Sequence, residues 1–256
     1  MNIPITPLTF VIVCPFLFLA GFVDSIAGGG GLISLPAYLL AGLPTHLAIG
    51  TNKLSSACGT SLTTIRFIRN GLVRWKLALP GVAAAMLGSA LGSRLSLMAD
   101  ERLIRGLLLA VLPVAAFLVL NRRLFPDREQ DEEVSAPRTL TVCVAAALLI
   151  GFYDGFYGPG TGTFLIVAFT VFARLSVGTA NAQAKVINLT TNLTALAVFL
   201  RGGTVLAPLG LAAAGCNMLG NYIGSGLAMS KGARITRPII LAVLCLLLVK
   251  LVSESL

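Results

Sequence analysis

Charged residues are scarce in this chain of 256 residues, where Lys, Arg, Asp and Glu together make up 11%. A typical soluble domain carries about 25%. Apolar residues reach 56%, which excludes intrinsic disorder, and a soluble enzyme of this length needs a charged surface that the sequence does not contain. The composition therefore predicts an integral membrane protein, and at ~20 apolar residues per helix the length allows about eight crossings.

Residues that bind metals or act as catalytic nucleophiles and bases are also few. His46 is the single histidine, and the five cysteines are scattered without a Cys-x-x-Cys pair. The sequence contains no His-Glu-x-x-His motif and no histidine placed to activate a serine or cysteine. It therefore predicts no metal site, no catalytic residues, no cofactor and no enzymatic activity.

The net charge of +9 comes from basic residues at the ends of apolar runs, such as the group at 66–76. Charges in these positions reach from membrane helices to the lipid headgroups. Aromatic residues do not alternate with them as they do in nucleic-acid interfaces. The predicted partner is the lipid bilayer and not nucleic acid. The sequence also predicts that the first apolar segment stays in the protein, since residues 1–10 lack a basic region.

An internal repeat divides the chain. Gly21-Phe22-x-Asp24 recurs as Gly151-Phe152-x-Asp154, and further matches follow in register. We predict a first transmembrane repeat at 1–120, a hydrophilic linker at 121–138 and a second transmembrane repeat at 139–256. The fold class expected is an all-α polytopic membrane protein of about eight elements, four in each repeat. Whether the repeats are parallel or inverted stays open.

The second element of each repeat departs from a simple crossing. Its apolar run of about a dozen residues is too short to span, is interrupted by glycine or proline and is followed by a polar stretch. We expect a broken or re-entrant segment, and such segments at matching positions of two halves point to a transporter's binding site. The predicted elements are 8–27, 32–65, 77–97 and 103–121 in the first repeat, and 139–157, 162–200, 207–229 and 233–252 in the second.

A glycine-rich run follows the first element of each repeat. Glycine lets a ligand approach the backbone, and free N–H groups before a helix form an anion site. A hinge or a helix contact is the alternative. The residues predicted to bind substrate here are Gly28, Gly29, Gly30 and Gly31, and Gly158, Gly160, Thr161 and Gly162.

Each repeat also carries one lysine in an otherwise uncharged stretch, with two neutral polar residues on the same helical face. Charges at bilayer depth are costly and usually functional, and these groups suit a small oxyanion. A lysine that reaches the headgroups is the alternative. The two lysines near the midplane are expected to repel each other, and this repulsion is expected to favour anion entry. The two predicted sets are Lys53, Ser56 and Thr60, and Lys185, Asn188 and Asn192. Asn52, next to Lys53, is also predicted to bind substrate.

Asp24 and Asp154 are the acids that lie within the apolar segments. Three roles remain open for them: pairing with a lysine, capping the broken helix, or taking up a proton during transport. Capping would be a structural role and proton uptake a coupling role, and neither requires the aspartates to contact the anion directly.

The repeated Gly-Phe-x-Asp motif with Gly28–Gly31, the Thr51–Leu54 segment with Asn52, and the Gly151–Phe164 segment resemble the TauE/SafE sulfite-exporter family, also called the 4-toluene sulfonate uptake permease family. The resemblance implies a secondary transporter of sulfur-containing anions such as sulfite or sulfoacetate. Asn181-Ala182-Gln183 replaces a histidine-containing stretch that is frequent in the family, so histidine is not expected to couple protons here.

The predicted function is transport of a small sulfur-containing anion across the bacterial cytoplasmic (inner) membrane, with the anion held between the repeats. An anion channel, or a permease for another small carboxylate or oxyanion, is the alternative. The sequence leaves proton coupling and assembly into a homo-oligomer open.

Overall fold

The structure is a computed structural model that describes residues 6–101, 103–104, 106 and 136–231. The chain is an all-α membrane protein, and within these residues its regular elements are helices joined by short turns. The helices are α1 (Pro7–Ala27), α2 (Gly31–Leu40), α3 (Thr45–Arg69), α4 (Trp75–Met98), α5 (Ala136–Phe156), α6 (Thr161–Val171), α7 (Val177–Arg201) and α8 (Ala207–Lys231).

The predicted break in the second element of each repeat is present, but the element consists of two helices. The apolar run forms a short helix, α2 or α6, and the polar stretch forms a separate helix of 25 residues, α3 or α7. A helix of this length extends about 37 Å at 1.5 Å per residue, enough to cross the apolar layer. In the sequence this stretch is too polar to look like a membrane crossing. Its polar residues face the protein interior and not lipid, so they do not prevent one.

Three described helices are both long and apolar enough to cross a membrane by composition: α1, α4 and α5. Helix α5 is described from Ala136 onward, so its first described residues lie inside the linker predicted at 121–138. The predicted elements at 103–121 and 233–252 lie outside the described residues, apart from 103, 104 and 106, as does the rest of the linker.

The two repeats interlock. Helix α1 packs along α8, and α4 packs along α5, so the last described helix of each repeat lies against the first helix of the other. Glycines allow these close contacts: a methyl group at Gly92 would overlap the backbone of Phe152, and one at Gly220 would overlap the backbone of Phe18. The small-residue motifs of α4 and α8 are therefore packing surfaces.

The first helices of the two repeats run in opposite directions. Along α1, Asp24 contacts Lys185 of α7 whereas the later Ile26 contacts the earlier Asn181, so α1 and α7 are antiparallel. Helix α7 runs parallel to α4, and α4 runs parallel to α5. Helix α1 is therefore antiparallel to α5, which is the inverted arrangement of repeats found in many transporters.

Candidate functional site

The two breaks in the helices meet at one small cavity between the repeats. Its volume is about 20 Å³, and a buried water needs roughly 10–15 Å³ on this scale. The residues that line it come from both repeats: Asp24, Gly28, Gly30, Gly31, Asn52, Lys53, Ser56, Thr60, Asp154, Gly158, Gly160, Thr161, Gly162, Asn188, Asn192 and Asn217.

The structure thus brings together almost all the residues singled out in the sequence. Gly29 and Lys185 are the exceptions. Gly29 lies beside Thr163, and the Lys185 side chain is enclosed between α1 and α7. The face predicted for α3 points into the cavity as a unit, whereas the face predicted for α7 contributes only its two asparagines.

One lysine of the cavity is paired with an aspartate of the other repeat. The Lys53 ammonium of α3 lies 2.8 Å from Asp154 Oδ2 of α5, and each side chain is 2% exposed. The Thr161 hydroxyl, at the start of α6, donates to Asp154 Oδ1 at 2.7 Å. Both partners of this ion pair line the cavity.

The second lysine forms the equivalent pair in the opposite sense. The Lys185 ammonium of α7 donates to Asp24 Oδ2 of α1 at 2.7 Å and also to the main-chain carbonyl of Asp24. Only the aspartate of this pair lines the cavity. Each repeat therefore supplies one cation and one anion, and each ion pair crosses from one repeat to the other.

Pairing with a lysine is therefore the role that the structure gives both aspartates. The expectation that repulsion between the lysines favours anion entry was wrong because both are paired. Sequence spacing shows which residues share a helix face, but not which residue of the other repeat lies opposite. The four charges sum to zero, so repulsion between Lys53 and Lys185 does not prepare this conformation for an anion.

The glycine runs serve first to let the two breaks touch. A methyl group on Gly28 would lie 2.6 Å from the Gly162 Cα atom, well inside van der Waals contact. Thr163 ties the breaks together, since its N–H donates to the Gly28 carbonyl at 3.2 Å and its hydroxyl to the Ala27 carbonyl at 2.9 Å. The Gly28 N–H donates to the Asp24 carbonyl at 2.8 Å. Gly28 thus ends α1 and leaves no N–H free for a ligand.

Other N–H groups at the breaks are free. In the described part of the chain, the N–H groups of Gly30, Gly158 and Gly160 make no hydrogen bond, and all three residues line the cavity. Gly30 precedes α2 and Gly160 precedes α6. The N-terminus of a helix carries partial positive charge and attracts anions. Two helices therefore begin at the cavity in a form suited to negative charge.

Neutral polar side chains complete the lining. The Asn192 amide donates to the Asn188 carbonyl groups at 2.8 and 3.0 Å. The Ser56 hydroxyl lies 3.4 Å from Asn52 Oδ1. Amides and hydroxyls of this kind can exchange partners with a ligand at little cost, because each has further donor or acceptor capacity.

Asn217 is the cavity residue that sequence reasoning missed. It lies on α8, donates to the Leu17 carbonyl of α1 at 3.1 Å and accepts from the Asn221 amide at 2.9 Å. Comparison of the repeats could not find it, since its counterpart is Ala85. A pair of asparagines four residues apart in an apolar helix was the available signal, because such residues rarely face lipid.

Comparison with known proteins agrees with this architecture. The family described as "Sulfite exporter TauE/SafE" matches residues 13–251. A "Probable membrane transporter protein ORF9" of Sinorhizobium sp is 37% identical over 237 residues, covering 93% of this chain and 90% of the relative. The "Probable membrane transporter protein YfcA" of Escherichia coli K12 is 34% identical over 252 residues, covering 98% and 92%.

A "Probable membrane transporter protein" of Haemophilus influenzae is also 34% identical over 239 residues, covering 93% of this chain and 92% of the relative. No solved structure matches the chain. The family match spans nearly the whole sequence and includes both repeats, both glycine runs and both lysines. The chain belongs to the TauE/SafE sulfite exporter family and is an integral membrane transporter, not an enzyme.

Proposed function

We propose that this chain is a secondary transporter of small sulfur-containing anions, such as sulfite, sulfoacetate or another organosulfonate, across the bacterial inner membrane. The observation that carries the proposal is the convergence on one cavity of the Lys53 ammonium and the N-termini of α2 and α6. The family supports the substrate class, and the cavity chemistry supports a negative charge on the substrate.

The cavity offers several donors to the oxygens of such an anion. An ammonium group has three N–H donors, and Asp154 is the one described ion-pair partner of Lys53. The free N–H groups of Gly30, Gly158 and Gly160 add fixed donors. Sulfite and sulfonate groups present several oxygens around one sulfur, so they can accept from donors on different sides of the cavity.

The small volume supports a transporter that alternates between conformations over an open pore. The cavity has room for little more than one ordered water, so it must widen before a sulfite or sulfonate group fits. Both ion pairs join one repeat to the other. Inverted repeats that rock against each other around a central site can open it to one side of the membrane at a time.

The test is uptake into proteoliposomes that contain the purified chain. Sulfite, sulfate, methanesulfonate and sulfoacetate are compared with acetate and chloride, each against its own gradient. We expect at least one sulfur-containing anion to be accumulated and Lys53→Met to abolish this uptake in monodisperse protein. Lys76→Met is the matched control because Lys76 lies exposed in the first turn of α4 and is expected to retain uptake.

Three outcomes would contradict the proposal. Uptake of none of the sulfur-containing anions would exclude the substrate class, and uptake of acetate alone would favour a carboxylate permease. Flux that follows the gradient without accumulation under any applied gradient would favour an anion channel.

A further inference from the structure

We infer that transport is coupled to protons through Asp154: its protonation frees Lys53 for the anion, while the Asp24–Lys185 pair stays intact. The inference rests on the proposed function and adds the coupling ion, its carrier and the stoichiometry. The two ion pairs occupy matching positions in the two repeats but have different surroundings, and the coupling follows from this difference.

Only one of the two lysines is accessible to a substrate. Lys53 and Asp154 both line the cavity, whereas Lys185 does not. Gly158 adjoins this pair, and a methyl group there would lie 2.9 Å from Lys53 Nζ and 3.0 Å from Asp154 Oδ1. The absent side chain leaves the ion pair open to the cavity. An anion can therefore replace a carboxylate at Lys53 but not at Lys185.

Charge balance requires that the carboxylate be neutralised when the anion binds. With Asp154 ionised, Lys53 and Asp154 sum to zero, and an added monovalent anion would leave one uncompensated charge at membrane depth, which is costly. With Asp154 protonated, the Lys53 cation and the bound anion sum to zero. Each cycle then carries one proton with one monovalent anion, and the carboxylate recovers its ion pair when the proton leaves.

Thr161 allows Asp154 to exist in both protonation states without moving. The Thr161 hydroxyl lies 2.7 Å from Asp154 Oδ1 and 2.7 Å from the Gly158 carbonyl, and it has a single proton to donate. When Asp154 is ionised, the hydroxyl donates to the carboxylate. When Asp154 is protonated, the acid donates to the hydroxyl, which turns its own proton to the carbonyl of Gly158.

The other pair lacks this device. Gly31 occupies the position in the first repeat that Thr161 occupies in the second, so no hydroxyl is available there to accept from a protonated Asp24. Lys185 is also held by the Asp24 main-chain carbonyl as well as by the carboxylate. Protonation of Asp24 would leave the Lys185 cation enclosed and out of reach of the anion.

The ionisable groups around Asp154 are few. From α3 the facing group is Lys53, and Asp24 of α1, itself paired with Lys185 of α7, lines the same cavity. Helix α6 contributes no ionisable residue, and on α5 itself Tyr153 and Tyr157 adjoin Asp154. On α4, the face packed against α5 consists of alanine, serine and glycine. Lys53 is therefore the one described cation in contact with Asp154.

The first test measures proton and methanesulfonate movement together in proteoliposomes that contain a fluorescent pH indicator. Methanesulfonate remains ionised at working pH, so any protons that accompany it are carried by the protein. We expect one proton per methanesulfonate, accumulation driven by a pH gradient, and no effect of a potassium–valinomycin potential. Asp154→Asn should lose both proton movement and accumulation.

The second test detects the proton directly by infrared spectroscopy of the purified chain. A protonated carboxylic acid absorbs apart from a carboxylate. We expect an acid band that grows as pH falls and grows on addition of methanesulfonate at constant pH, and that is absent in Asp154→Asn. Thr161→Val should alter the growth of this band on addition of methanesulfonate, since Asp154 then lacks its hydroxyl partner in both protonation states. Thr161→Ser should restore it.

The outcomes separate the two proposals. Methanesulfonate transport without protons, or an acid band that persists in Asp154→Asn, overturns the inference and leaves the proposed function standing. Growth of the band on methanesulfonate that is unchanged in Thr161→Val overturns the role of Thr161. Absence of transport for every sulfur-containing anion overturns the proposed function. If the Asp154 acid band then also fails to respond to methanesulfonate, the inference of proton coupling is overturned as well.

Discussion

The two ion pairs of the cavity are equivalent in sequence and different in surroundings. Lys53 and Asp154 both border the cavity, and Thr161 donates to the carboxylate. In the other pair, Lys185 is enclosed and donates twice to Asp24. An internal duplication therefore reproduces the charges but not their environment. Because of this difference, the Lys53–Asp154 pair can open to a ligand, whereas the Lys185–Asp24 pair holds the two repeats together.

The largest expected effect is on the enclosed pair. Lys185→Met leaves the Asp24 carboxylate buried without its cation, and loss of one partner from a buried pair costs about 3–5 kcal/mol. Lys53→Met should cost less than this, because Asp154 keeps the hydrogen bond from the Thr161 hydroxyl. Equilibrium unfolding in detergent measures both. Asp24→Asn combined with Lys185→Met is the control and should recover most of the loss; equal losses for the two single lysine variants would contradict the comparison.

A second difference concerns the glycines at the breaks. Gly162→Ala places a methyl group 2.5 Å from Gly28 Cα, and overpacking of this kind costs about 1–3 kcal/mol. Gly29→Ala is the matched control, since its nearest neighbour would lie at 3.5 Å. We expect a lower unfolding temperature for Gly162→Ala and a change within about 0.5 kcal/mol for Gly29→Ala. Similar behaviour of the two variants would show that the breaks do not depend on this contact.

Asn217 sharpens the comparison, because only the second repeat supplies an asparagine at this position of its last described helix. Asn217→Ala removes the hydrogen bond to the Leu17 carbonyl and one polar group from the cavity. A net hydrogen bond is worth about 1 kcal/mol, so we expect roughly fivefold weaker anion binding, measured as ligand-induced thermal stabilisation. Unchanged affinity would assign Asn217 to helix packing alone.

The smallest effect is expected at the end of α3, where the first repeat has a contact that the second lacks. The Arg66 guanidinium lies 4.5 Å from the centre of the Tyr222 ring and donates to Ser225 at 2.7 Å; the counterpart of Arg66 in the second repeat is Val198. Tyr222→Leu should destabilise the protein by about 0.5–1 kcal/mol. Thermal unfolding measures this against Leu219→Ala, and a loss above that range would mean that the contact holds α3 and α8 together more firmly.

Much of the fold could be predicted from the sequence. The scarcity of charge indicated the membrane, and the repeated Asp-plus-glycine motif located both breaks at the ends of α1 and α5. Alternation of polar residues on the α3 face placed Lys53 and Thr60 in the cavity. These features are local, since each depends on composition or on spacing along one helix.

The rest depended on contacts between distant parts of the chain. Spacing could not reveal that Lys53 faces Asp154, or that Lys185 is enclosed beside Asp24, because each pair joins one repeat to the other. Asn217 remained hidden for the same reason. Helices α3 and α7 were not predicted at full length because their hydropathy is low. Hydropathy alone cannot show that a polar helix is surrounded by protein and therefore does not contact lipid.

The crossed pairing also constrains how the protein is made. Synthesis proceeds from the N-terminus, so α1–α4 enter the membrane before α5 and α7 exist. During that interval Asp24 and Lys53 lack the partners that they have in the finished protein, and unpaired charges in lipid are unfavourable. The nascent first half therefore depends on the insertion machinery, or on water near it, until the second half arrives.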